Sequence, residues 1–120
     1  MGLNTETVRT YMQAYAAGDH AGVDELLADD VVWTVHGHAT FRGQAAYLEE
    51  MRRGEAAGLP LISADRYVEQ DDLVCVTGAV RAPLPDGSWV DLVFSDVFAF
   101  DRGRISAVDA YVVPISSSAP

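Results

Sequence analysis

From Gly58 onward the chain carries four long runs rich in β-branched and aromatic residues: Leu61–Glu69, Leu73–Arg81, Trp89–Phe100 and Arg104–Val113. Runs of this kind fold as strands. Between them stand only Gln70-Asp71-Asp72, Pro85-Asp86-Gly87-Ser88 and Asp101-Arg102-Gly103, which are turn sequences. Links this short favour antiparallel hairpins. Half of the chain is therefore committed to one sheet, and the other half must cover it.

The first half supplies the cover. Val8, Tyr11, Met12 and Tyr15 recur at the i, i+3, i+4, i+7 spacing of one helical face, predicting a helix from about Thr5 to Ala17. Asn4 or Thr5 is placed to cap it and Gly18 to end it. Asp19 suits the N-cap of a second, short helix whose buried side would be Val23, Leu26 and Leu27. Asp29-Asp30 breaks that pattern, and Val31–Val35 reads as a strand. His36–Gly43 has no period and two glycines, so a loop is expected there. From Gln44 to about Ala57 helix formers return, with Tyr47, Leu48 and Met51 on the inner face. The tail Ile115–Pro120 is small and polar and is expected to fray. Helices first and strands after give an α+β architecture, a curved antiparallel sheet wrapped against the helices.

At 120 residues the chain fits a single domain, residues 1–120, with no linker or repeat. An apolar fraction of 49% against 22% charged residues is the balance of a folded, water-soluble chain. Eighteen acidic residues against eight Lys and Arg give a net charge of −10. Phosphate backbones and anionic membranes repel such a surface, so no nucleic-acid or membrane partner is expected. No apolar run is long enough to span a bilayer, and the first residues lack the pattern of a signal peptide. The single Cys75 excludes an internal disulfide; in the apolar run Leu73-Val74-Cys75-Val76 it reads as inert core. A cytoplasmic location is the expectation.

Trp89–Phe100 is the most informative run. Alternation puts Leu92, Phe94, Asp96, Phe98 and Phe100 on one face, and Asp91, Val93, Ser95, Val97 and Ala99 on the other. The bulky face should meet the helices, which sets Asp96 between Phe94 and Phe98. A carboxyl there loses hydration, its pKa rises, and it stays protonated; such groups gather at functional sites. The plain alternative is a buried Asp satisfied by backbone or by a tyrosine. The less charged opposite face, with Val93, Val97 and Ala99, is suited to a homodimer interface.

Other candidates follow from residue chemistry. Tyr11 and Tyr15 lie on the buried face of the first helix, where a phenol can donate to a developing oxyanion. Trp33, His36 and His38 sit at the end of the first strand and in the following loop, and histidine is the side chain best suited to proton transfer near neutrality. His36-x-His38 has no third ligand at useful spacing, so no metal is expected. Asp109 interrupts the last strand, and its face is open: Ile105, Ala107, Tyr111 and Val113 share its parity, while Val108, Ala110 and Val112 oppose it, and a bulge would exchange the two. Nucleotide-binding glycine loops, nucleophile elbows and zinc-protease motifs are absent, so no cofactor is expected.

Tyr11–Asp19, Leu26–Trp33, Phe41-Arg42-Gly43 and Asp96–Ile105, in this order and spacing, resemble the NTF2-like superfamily, in its ketosteroid isomerase and SnoaL-like polyketide cyclase group. The resemblance spans about Thr5 to Val113. It implies a cone-shaped, antiparallel-rich curved sheet wrapped around three helices, with a deep pocket for a small apolar molecule, and often a homodimer. Tyr11 and Asp96 match the oxyanion-hole tyrosine and aspartic acid of ketosteroid isomerases. The general-base Asp of those enzymes falls on Val35, so that base is missing; His36, next to it, would have to turn inward to replace it. SnoaL-like cyclases carry an acid/base Asp on the last strand, which Asp109 approximates, so Asp96 and Asp109 would form a carboxyl pair on neighbouring strands.

Two functions follow as expectations. One is a cofactor-independent enzyme of isomerase, cyclase or lyase type that moves protons on an apolar carbonyl compound through an enolate. Tyr11, Asp96, Asp109 and His36 would be its catalytic groups, with Tyr15, Trp33, His38, Phe94 and Phe98 around the substrate. The alternative is a binding protein that uses the same pocket without turnover.

Overall fold

The structure is a computed structural model that describes residues 2–115. The tail expected to fray lies, beyond Ile115, outside the described residues. Helix α1 (Leu3–Ala16) buries Val8, Tyr11, Met12 and Ala14, the face its periodicity requires. Neither Asn4 nor Thr5 caps it. Instead Thr5 donates both its backbone N–H and its hydroxyl to Glu69, so a carboxylate from a distant strand sits at the positive end of the helix. Gly18, at φ 70°, turns the chain out of α1, and Asp19 caps the short α2 (His20–Asp24) by accepting from Gly22 N–H at 3.0 Å.

Strand β1 (Leu27–Val35) begins earlier than expected, because Asp29 and Asp30 are accommodated on its exposed side rather than ending it. The segment expected to be a loop contains a further strand, β2 (Ala39–Arg42), which folds back on β1 as a hairpin. Four residues bounded by glycines are too short to show a period, but their backbone groups find partners along β1. Helix α3 (Gln44–Gly54) follows, burying Tyr47 and Met51. The strands β3 (Leu61–Gln70), β4 (Leu73–Pro83), β5 (Trp89–Asp101) and β6 (Arg104–Pro114) form the expected antiparallel meander.

The six strands make one sheet in the order β2-β1-β6-β5-β4-β3, with β1 and β6 parallel. Its inner face carries Val31, Trp33, Val74, Val76, Phe94, Phe98 and Val108, all buried beneath the helices. Among the described residues three irregularities shape it, the first in β1 between Leu27 and Val32, where the register with β6 shifts. The second lies between Ala64 and Arg66 in β3, opposite Gly78; the third lies in β6, where Ser106 is the extra residue between Ile105 and Ala107. Cys75 is not core: it faces outward, half-buried, with its Sγ 3.5 Å from Ser95 Oγ. Among the described residues no helix is long and apolar enough to cross a membrane, and no three metal-ligating side chains converge.

Candidate active site

The inner face does not close completely against the helices. A cavity of about 250 Å³ remains, with Tyr11, Met12, Trp33, Phe94, Val108 and Ala110 at its buried end and Gly54 and Val112 at its exposed rim. A 150 Å³ apolar cavity holds a benzene ring, so this volume suits a substituted ring or two fused rings. The wall is almost entirely apolar. Its ionisable groups are Tyr11, Tyr15, Glu50 and Asp96.

Asp96 reaches the cavity from the middle of β5. Its Oδ1 is sealed from water and has no hydrogen-bond partner among the described residues. Burial alone pushes its carboxyl up to about 7. The residue as a whole is half-buried because one side opens onto the cavity. An orphaned, desolvated carboxyl of this kind is neutral over the acidic range and can donate to whatever occupies the cavity.

Tyr11 enters from α1. Its hydroxyl is hydrogen-bonded to that of Tyr47, from α3. Tyr47 is wholly buried, and Tyr11 is its one hydroxyl partner among the described residues. Either hydroxyl can donate in this bond; with Tyr47 donating, the hydrogen of Tyr11 is available to an occupant of the cavity. Trp33 stacks on the Tyr47 ring at 4.4 Å and meets Tyr15 edge-on at 6.4 Å, so the three rings fix one another. Burial, followed by neighbouring phenols, holds Tyr11 well above the usual tyrosine range. Tyr15 is raised by burial and then by the carboxyls of Asp96, Glu55 and Glu50. Both phenols are therefore donors, not bases.

The expected residues divide into two groups. Tyr11, Tyr15, Trp33, Phe94 and Asp96 all line the cavity. Phe98 does not: it is fully buried behind Tyr11, 4.9 Å from that ring. His36 and Asp109 lie on the opposite face of the sheet, where His36 Nε2 is 2.8 Å from Asp109 Oδ1 and the imidazole stacks on Tyr111 at 4.4 Å. The carboxyl pair expected between Asp96 and Asp109 is thus not made. The cause is the extra residue Ser106, which swaps the faces of β6: Ile105 is inner before it, and Val108, Ala110 and Val112 are inner after it. His38 is exposed in the β1–β2 turn and Val35 is cavity wall.

Two residues of the site went unread in the sequence. Tyr47 was visible as core but not as the partner of Tyr11. Glu50 was not singled out, although it stands three residues after Tyr47 and one before Met51, on the same helical face.

A family model described as a SnoaL-like domain matches residues 8–108. Among solved structures, Bal32a, from a soil-derived mobile gene cassette, is 25% identical with a TM-score of 0.84, over 92% of this chain and 88% of that one. An NTF2-like protein of unknown function from Burkholderia pseudomallei is 25% identical with a TM-score of 0.82, over 92% and 90%. An epoxide hydrolase from M. tuberculosis, described as LEH-like, is 22% identical with a TM-score of 0.82, over 92% and 83%. No curated protein sequence matches the chain. The NTF2-like architecture expected from the sequence is the one observed.

Proposed function

This chain belongs to the SnoaL-like family, and from its cavity we propose that it is a cofactor-independent acid–base enzyme acting on an apolar, carbonyl-bearing molecule of one or two rings through an enolate. The observation that carries this reading is the pairing of Tyr11 with Asp96. Both line an apolar cavity; among the described residues Asp96 has no partner for its sealed oxygen, and Tyr11 has only the hydroxyl of Tyr47 as a partner. Two neutral donors in an apolar pocket suit an oxygen that gains negative charge, because the stabilisation is greatest where water is excluded. Tyr47 acts on Tyr11 rather than on the substrate, by fixing which way its hydroxyl points.

A phenolate mimics an enolate. Near pH 6, below the value of about 7 for Asp96, the protein should bind 3,4-dinitrophenolate more tightly than the neutral 1,2-dinitrobenzene. Tyr11→Phe should weaken the phenolate by roughly 1–3 kcal/mol, the usual worth of a hydrogen bond to a charged group, and leave the neutral compound unchanged. Calorimetry with both ligands measures it. Equal losses, or none, would reduce Tyr11 to a core aromatic.

The second reading, a binding protein without turnover, is favoured by Val35, which puts an apolar side chain at the position where related isomerases carry their base. Deuterium exchange at the α-carbon of 2-tetralone, a two-ring ketone, separates the two: the enzyme accelerates it, the binding protein does not.

We further propose that the protein works as a homodimer joined through the outer face of the sheet. That face exposes Val93, Tyr111 and Val113, and its acids have local partners: Asp109 hydrogen-bonds His36, Asp65 accepts from Thr77 at 2.8 Å, and Asp91 lies 3.5 Å from Arg81. In a chain of net charge −10, a face rich in apolar side chains whose acids are engaged locally is where two copies meet with least repulsion. Val97→Arg should yield monomers in sedimentation experiments. A wild type that sediments as a monomer at high micromolar concentration defeats this proposal.

A further inference from the structure

We propose that Glu50 is the general base of this cavity, the group that takes the proton from the carbon beside the substrate carbonyl; the inference rests on the enolate reading above. The expected bases, Asp109 and His36, are on the wrong face of the sheet, and Val35 cannot serve. Among the lining residues, Glu50 and Asp96 are the only ones that carry a carboxyl, imidazole, amine or thiol.

Their surroundings divide the roles. Asp96 has no cation near it and a sealed, unpartnered oxygen, so it rests as the acid. Glu50 is 17% exposed and its Oε1 accepts from Arg53 Nη1 at 2.8 Å. Arg53 itself is 66% exposed. The guanidinium therefore approaches Oε1 from the solvent side, while Oε2 has no hydrogen bond to the described residues. Two carboxyls in one pocket, one desolvated and one ion-paired, form an acid and a base in a single site. Tyr15 lines the same cavity as both. Glu55, whose Oε2 is buried without a hydrogen-bond partner among the described residues, has its Oε1 held by His20 at 2.7 Å and does not line the cavity.

The step balances without a co-reactant. Glu50 takes the α-proton as the C–H bond breaks, and the electron pair forms the carbon–carbon double bond of the enolate. The charge that develops on oxygen is met by Tyr11 and Asp96. Glu50, now a carboxylic acid, returns the proton to the same carbon or to one further along the conjugated system.

The test is α-proton exchange of 2-tetralone in D₂O, read by NMR, beside binding of 3,4-dinitrophenolate. Glu50→Gln should slow exchange by about a hundredfold or more, the usual worth of general base catalysis, while phenolate affinity stays within about threefold. Glu50→Asp, which keeps the charge on a shorter arm, should fall between the two and serves if the Gln variant melts early. Glu49→Gln, on a side chain 64% exposed and paired with Arg52, should exchange like the wild type. An active wild type whose Glu50→Gln variant exchanges within about threefold of it overturns this inference and leaves the enolate reading standing. A wild type that neither accelerates exchange nor prefers the phenolate overturns both.

Discussion

Asp96→Asn should be more stable than the wild type by up to about 4 kcal/mol near pH 8 and no different from it near pH 4. In the folded protein the carboxyl is raised by burial to about 7, against an ordinary value of 3.8. The folded state therefore holds a proton that the unfolded state has released. Stability is complete below the unfolded value, declines as pH rises between the two, and is lost above about 7, where the folded chain must bury a charge. Asparagine never charges, so the difference between the two proteins isolates this one group. Urea denaturation of both across the range measures it. A gap that does not change with pH would mean that Asp96 is solvated in the folded state. The same residue carries the largest expected functional loss. Asp96→Leu should fold, keep the cavity apolar, and lose 2-tetralone exchange by about 10²–10³, the effect of removing one oxyanion donor. Wild-type exchange should fall as pH rises past about 7, when the donor ionises.

Gly78→Ala should cost about 3 kcal/mol or more, at the top of the range for overpacking. Gly78 lies in β4 opposite the irregularity in β3. A methyl group there would overlap the carbonyl oxygen of Ser63 and stand 2.9 Å from both the Ala64 Cα and Phe94 Cε1. Two of these three obstacles are backbone, which cannot rotate aside. The third is a ring of the cavity wall, so any relief by Phe94 shrinks the space for a ligand. The variant should therefore melt early and bind 1,2-dinitrobenzene weakly in the fraction that folds. A cost under about 1 kcal/mol would show that β3 slides away from β4 at little expense.

The architecture was legible because its largest part rests on short-range signals. Apolar alternation located β3 to β6, and the helical period of Val8, Tyr11, Met12 and Tyr15 located α1. The cavity end of β5 was legible for the same reason: Phe94 and Asp96 share a parity that nothing in that stretch interrupts. What sequence reasoning missed depends on contacts between distant residues. The cap of α1 is Glu69, 64 residues from Thr5. β2 exists because β1 offers it an edge. The face of Asp109 depended on one inserted residue, Ser106, which has the composition of an ordinary strand residue and shows itself only in the register. Glu50 lay beside Glu49 and before two arginines, the usual composition of a solvated helix face, and that pattern concealed its place in the period of Tyr47 and Met51.

The parallel contact of β1 with β6 has a consequence for the order in which the protein can be made. It joins residues near 33 to residues near 108, and both strands contribute to the cavity, through Trp33 and Val35 on one side and Val108 and Ala110 on the other. Everything between them can emerge from a ribosome and pair locally, yet β1 waits with one edge open until the last strand arrives. Pairings of such sequence separation are slow, and an open strand edge is the part of a nascent chain most prone to wrong partners. The residues that build the pocket are thus also the last to be secured during folding, so a change in β6 that slows its docking should lower the yield of folded protein before it alters the stability of the finished one.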